Sequence, residues 1–173
     1  MNGLPKTIDI FDTDQLVIPL NLGETHWTVA VADMVRKEIR HYDSIDDGAR
    51  KVDGDFGARA SSSAASAWND SSSHGGQKSK FNRMFLRYLC DEHEAKKEDV
   101  YEDAKYWKEV AVEGMVPQQR NGHDCGVFAC LMMMAVVRDF PDSPRFGFSQ
   151  VDIEGYRLQL AVDIVSGTLT VPR

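Results

Sequence analysis

The stretch "VPQQRNGHDCGVFACLMMMAVV", residues 116–137, turns from polar to almost wholly apolar at Cys125. A run this apolar, uncharged until Arg138 and ended by Pro141, reads as a helix buried on most sides. The rest of the chain must therefore build a core around it. The Met132–Met134 stripe reads as packing within that core rather than as a metal or lipid site. The cysteine stands where a polar loop enters the helix, a place suited either to a packed sulfur or to a reagent.

The chain has 173 residues, enough for one domain with a core that needs no staples. Its three cysteines, Cys90, Cys125 and Cys130, are too few and too irregular for a disulfide framework, and they fit a reducing, intracellular compartment. The only close pair is C-x4-C on the expected helix, so no metal site and no cofactor is expected. A formal net charge of -7 argues against nucleic acid as the main partner. No basic-then-apolar leader opens "MNGLPKTIDIFDTDQLV", and no apolar run approaches the roughly 20 residues of a membrane span.

Ahead of the seam, "KTIDIF" and "DQLVIPLNL" read as short strands parted by "DTD". "HWTVAVADM" (26–34) reads as a largely buried strand and "RKEIRHYDS" (36–44) as its antiparallel partner. Residues 46–79, dense in Ser, Gly, Ala and Asp, read as a disordered insertion within a single 1–173 domain, with Trp68 a loose aromatic in it. "KFNRMFLRYLCDEHEAKKED" spaces Phe81, Met84, Phe85, Tyr88 and Leu89 as an amphipathic helix, with Cys90 as core filling. "WKEVAVEGMV" reads as a short strand. "FSQVDIEGYRLQLAVDIVSG" reads as a last amphipathic helix, opened by a capping Ser149 and stopped by Gly167.

A nucleophilic cysteine acts as the thiolate, and free thiols ionise only near pH 8.5, so a catalytic one needs help from an imidazolium or a helix N-terminus. Cys125 has the second, because the unpaired N–H groups of the first turn favour an anion, and Asp124 is placed to cap that turn. Five histidines could serve as base. His123 is too near in sequence to face the sulfur, His74 lies in the insertion, His93 sits at a charged helix end, and His41 alternates along a strand. His26 opens the buried strand, from where it can lean over a neighbouring element. A third group should orient the base. A turn at about 34–37 sets opposite one another positions whose numbers sum to roughly 70, bringing His26 and Asp43 together at one edge of the hairpin. For an oxyanion, the Cys125 N–H is one donor, and Gln118, Gln119 or Asn121 could be the second. Spacing does not choose among these three.

"GETHWTVAVADMVRKEIRHYDSI" and "VPQQRNGHDCGVFAC" together resemble the ubiquitin-like-protein-specific cysteine proteases, the Ulp/SENP family of SUMO proteases. His-Trp heads one strand, Tyr-Asp-Ser ends the next, and Gln, Asn-Gly and Asp-Cys-Gly follow in order over about residues 7–45 and 80–170. The resemblance implies an α+β, papain-like fold with a central mixed sheet flanked by helices and the nucleophile at a helix N-terminus. It implies Cys125 as nucleophile, His26 as base, Asp43 as orienting carboxylate, Gln119 as oxyanion donor, and Trp27 as the roof of a channel for a diglycine tail. The implied activity is cleavage after the C-terminal Gly-Gly of a ubiquitin-like modifier, SUMO first, in deconjugation or precursor maturation. The implied partners are the modifier and its conjugated proteins, with no nucleic acid and no membrane. A monomer in the nucleus or cytoplasm is expected.

The chain departs from the family in lacking the usual N-terminal segment with a Trp-Leu-Asn-Asp-like motif, as expected of a fragment or a shortened relative with a weaker grip on the modifier. Two alternatives stand beside the leading reading. One is a deubiquitinase, deneddylase or acetyltransferase on the same Cys-His-Asp fold. The other is a modifier-binding module without turnover.

Overall fold

The computed structural model describes residues 8–45, 80–112 and 116–170. The insertion expected at about 46–79, with Trp68 and His74, lies outside the described residues. In chain order the elements are β1 (Gln15–Leu22), β2 (His26–Asp33), β3 (Glu38–Tyr42), α1 (Lys80–Lys97), β4 (Lys108–Glu109), α2 (Cys125–Asp139) and α3 (Ile153–Ser166). Short 3-10 turns occupy Ile10–Asp12, Glu102–Tyr106 and Gln150–Asp152. The chain divides into two compact units, residues 1–47 with 110–173, and residues 48–109.

In the first unit β1, β2 and β3 form an antiparallel meander. The β1–β2 turn passes through Gly23 at φ 57° and Glu24 at φ 61°, a left-handed pair that glycine enters without a steric penalty. The β2–β3 turn is built by Asp33, a buried carboxylate that accepts from the N–H groups of Val35 (3.1 Å) and Arg36 (2.7 Å) and from Arg36 Nη1 (3.0 Å). That turn fixes the hairpin register, with Asp33 opposite Glu38 and Val29 opposite Tyr42. Alternation then sends Val29, Val31 and Tyr42 to one face, where they form a core with Val127, Phe128, Leu131 and Met132 of α2. Tyr42 meets Phe146 edge-on with ring centroids 5.7 Å apart, and burial pushes its phenol up from the ordinary value.

Helix α2 follows from its composition: Phe128 and Met132 are buried, and Met133 and Met134 pack at the margin of the core. Cys130 is half-buried, and partial burial pushes its thiol up. The capping box at Ser149 opens the 3-10 turn Gln150–Asp152 that leads into α3: Ser149 N–H and Oγ both donate to Asp152 Oδ2, at 2.9 and 3.0 Å. The helix ends at Gly167 in the left-handed region (φ 65°). The expectation of a buried stripe along it is only partly met. Ile153 is buried, but Leu158, Val162, Ile164 and Val165 face outward.

The expected strand over "KTIDIF" is corrected. Ile10–Asp12 is a 3-10 turn because Asp9 Oδ1 accepts from the Phe11 N–H (3.1 Å), a local bond that competes with extension. In the second unit, α1 starts where expected and ends at Lys97, with a narrower apolar face: Phe85, Leu86 and Leu89 are buried while Met84 and Tyr88 are exposed. Phe85 meets the Trp107 ring edge-on at 5.8 Å, and Trp107 Nε1 donates to the Tyr101 hydroxyl at 3.2 Å. Of the strand expected over "WKEVAVEGMV", only Lys108–Glu109 is extended in a ladder, and residues 113–115 lie outside the described residues.

Candidate active site

The polar half of the seam is a folded loop held by its own side chains. Asn121 Oδ1 accepts from the N–H groups of His123 and Asp124, each at 3.1 Å, turning the chain into the helix. The Phe128 N–H then bonds the Asp124 carbonyl at 3.0 Å, and α2 starts with Cys125, which is buried at the helix entrance. The N–H groups of this first turn lack helical partners by construction, so the sulfur sits where an anion is favoured.

Asp124 occupies the N-cap position, but its side chain does not cap, which corrects the sequence expectation. Its backbone is already helical (φ -93°, ψ -2°), and this directs the carboxylate away from the first-turn N–H groups. Instead the buried carboxylate accepts from Asn121 Nδ2 (2.6 Å), Gln150 Nε2 (2.8 Å) and Arg157 Nη2. These bonds, that of Asn121 foremost, then those of Gln150 and Arg157, outweigh desolvation and hold the Asp124 carboxyl at about 2. Gln150 also accepts from the Arg120 N–H at 2.6 Å, so one amide ties the loop and the helix entrance together. Sequence reading missed Gln150 and Arg157, which lie 25 or more positions from the loop and carry no motif of their own.

His26 and Asp43 do meet. His26 Nε2 lies 2.7 Å from Asp43 Oδ1, with His26 buried and Asp43 half-buried. The same oxygen accepts from the Ile45 N–H at 2.8 Å, which fixes the carboxylate just past the end of β3. An ionised carboxylate can only accept, so Nε2 donates, and in the neutral imidazole the lone pair is then on Nδ1. The register explains the meeting. His26 and Asp43 share strand parity opposite to that of Val29 and Tyr42, and Asp43 lies one step beyond the last ladder pair.

Trp27 points the other way. It is 40% exposed, and a Cβ on Gly126 would lie 3.7 Å from its Cδ1, so the indole rests beside the first turn of α2, next to Cys125. Of the three amides that spacing left open, Gln118 Nε2 donates to the carbonyls of Val116 (3.1 Å) and Asp43 (3.3 Å). Asn121 is used up in the loop turn. Gln119 is held at both ends. Its N–H donates to the Ser44 carbonyl (2.8 Å), its Oε1 accepts from Ser44 Oγ (2.6 Å), and its Nε2 donates to the Asn121 carbonyl. Among the other histidines, His41 pairs with Thr28 Oγ1 (2.9 Å), His93 Nδ1 accompanies the Asp99 carbonyl (3.0 Å), and His123 is exposed.

The features in place are a buried cysteine opening an apolar helix, a His–Asp pair at a strand edge and an amide clamped at both ends, on an α+β frame. The Ulp1 protease family, C-terminal catalytic domain, matches residues 1–56 and 69–167, and the chain belongs to that family. It is 30% identical over 166 residues to a Sentrin-specific protease of Caenorhabditis elegans, covering 95% of this chain and 18% of that protein. It is 23% identical over 161 residues to Sentrin-specific protease 2 of Rattus norvegicus, covering 92% of this chain and 21% of that protein. The chain thus spans about a fifth of the length of these curated relatives. The fold is similar to the C-terminal Ulp1 protease domain solved in complex with SMT3, the yeast ortholog of SUMO. The TM-score is 0.55 at 21% identity, over 93% of this chain and 56% of that one. A SUMO protease Ulp1 with its catalytic cysteine oxidised to a sulfenic acid matches with TM-score 0.56 at 22% identity, over 94% of this chain and 57% of that one. These likenesses establish the expected α+β fold. Among the described residues no helix is long and apolar enough to cross a membrane.

Proposed function

We propose that the chain is a thiol isopeptidase and endopeptidase that cleaves after the C-terminal Gly-Gly of a ubiquitin-like modifier, SUMO first. Cys125 is the nucleophile, His26 the base, Asp43 its orienting carboxylate, and Gln119 with the Cys125 N–H the oxyanion donors. The observation that carries this reading is the 2.7 Å His26–Asp43 bond, which leaves the Nδ1 lone pair free for a thiol. His26 takes the Cys125 thiol proton, and the sulfur attacks the terminal glycine carbonyl to form a C–S bond. The oxyanion is held by the two N–H donors until the C–N bond breaks and His26 hands its proton to the leaving lysine or peptide amine. Water, deprotonated by His26, then cleaves the thioester and regenerates the thiol. Trp27 beside the helix entrance favours a channel that admits glycines and excludes side chains. The free state of Cys90, Cys125 and Cys130 fits a reducing nuclear or cytoplasmic setting.

The test is a panel of modifiers carrying C-terminal electrophiles. A covalent adduct with SUMO that is absent in Cys125→Ala is expected, as is loss of turnover by about 10³-fold or more in His26→Ala and by a smaller factor in Asp43→Ala. Adducts with ubiquitin or Nedd alone would redirect the substrate assignment. Binding without any adduct would sink the enzymatic one.

A further inference from the structure

We propose that Ser44 is a positioning residue that fixes which end of the Gln119 amide faces the reacting carbonyl. The inference rests on the reading of Gln119 as oxyanion donor. A glutamine presents either two N–H donors or a carbonyl acceptor according to a half-turn about its last bond, and only the first orientation stabilises an oxyanion. The wrong orientation would set an acceptor against developing negative charge.

Two neighbours decide the matter. The Asn121 main-chain carbonyl can only accept, so it takes one Nε2 hydrogen. Ser44 Oγ donates to Gln119 Oε1 at 2.6 Å and so holds the oxygen on the opposite side. Ser44 is 1% exposed, so its hydroxyl is screened from water and kept for this bond. The main chain adds a second tether, the Gln119 N–H donating to the Ser44 carbonyl at 2.8 Å. One serine therefore grips both the backbone and the side chain of one glutamine. The remaining Nε2 hydrogen makes no other bond among the described residues and is the one left for the oxyanion. Ser44 also directly follows Asp43, so the segment that orients the base orients the oxyanion donor as well.

Remove the hydroxyl and Oε1 is left without a donor in a half-buried setting, so only the Asn121 carbonyl still holds the amide and its orientation loosens. Turnover of SUMO bearing a C-terminal aminocoumarin amide is the readout, with kcat and KM measured for Ser44→Ala, Gln119→Ala and the double variant. Ser44→Ala should lower kcat by about 10- to 100-fold, part of what a whole donor contributes, with KM within about twofold. In the Gln119→Ala background, Ser44→Ala should cost nothing further, because the group it acts through is gone. Alkylation of Cys125 by a haloacetamide, followed by mass spectrometry, develops no oxyanion and should keep its native rate and pH profile in Ser44→Ala. Ser44→Cys, which keeps a weak donor on a somewhat larger atom, should fall between serine and alanine, and it carries the test if the alanine variant does not fold. Native kcat in Ser44→Ala, an undiminished effect of Ser44→Ala in the double variant, or a parallel loss of alkylation rate each overturns the proposal. Native kcat in Gln119→Ala overturns it together with the oxyanion assignment. Loss in Gln119→Ala without loss in Ser44→Ala overturns this inference alone.

Discussion

Helices α2 and α3 are both apolar in composition, yet they are held by different forces. Helix α2 buries Val127, Phe128, Leu131, Met132 and Val136. Helix α3 buries Ile153 and the charged Asp163, while Leu158, Val162, Ile164 and Val165 stay exposed. Its hold is polar. Arg157 reaches the Asp124 carboxylate, Gln150 on the preceding turn does the same, and Asp163 receives the Thr170 N–H at 2.7 Å and hydroxyl at 2.9 Å. The N–H of Thr170 foremost, with the amide of Gln159, holds the Asp163 carboxyl below its ordinary value. The lesson is that apolar composition does not by itself say which helix is core. The helix that opens with Cys125 is anchored by burial, and the helix behind its loop adds buried carboxylate bonds to a smaller apolar contact.

The sharpest way to break this contrast is Phe128→Ala. Phe128 is fully buried and stacks edge-on with Phe148 at 5.6 Å, so a cavity there should cost about 3–5 kcal/mol in denaturant unfolding. A cost under about 1 kcal/mol would mean that α2 is not the core element described. Next in size is Arg157→Ala, expected to cost about 1 kcal/mol because the arginine is half-exposed while the carboxylate keeps Asn121 and Gln150.

The same anchor has a pH signature. The folded Asp124 value, about 2, lies below the ordinary 3.8, so its ionised form contributes stability that is complete above pH 3.8 and is lost as pH falls toward 2. Denaturation midpoints measured between pH 6 and 2 should therefore drop less steeply in Asp124→Asn than in the native chain. An unchanged slope would remove Asp124 from the anchor. The smallest effect belongs to the outer face of α3: Val162→Ser should stay within about 0.5 kcal/mol, and a larger loss would show that this face is covered.

Much of the site could be read from the chain because its signals are local. Alternation placed β2 and β3, the Asp33 turn set their register, and with it His26 came to Asp43. The apolar switch placed the start of α2 at Cys125. Where the reading failed, a nearby bond outcompeted a pattern, as at Asp9, or a position was taken for a contact. Asp124 stands at the N-cap, but its helical backbone sends the carboxylate to Gln150 and Arg157 instead.

The sequence by itself therefore determined what depends on neighbours along the chain: the strand and helix periods, the turn chemistry, and a cysteine at a helix entrance. Only the tertiary structure decided the rest. It gave Gln118 and Gln119 different partners, brought Ser44 to Gln119 across 75 positions, and left Leu158, Val162, Ile164 and Val165 of α3 outside the core. The reason is physical. A hydrogen bond is short and directional, so a polar residue's partner is set by where distant backbone arrives, and no spacing rule along the chain records that.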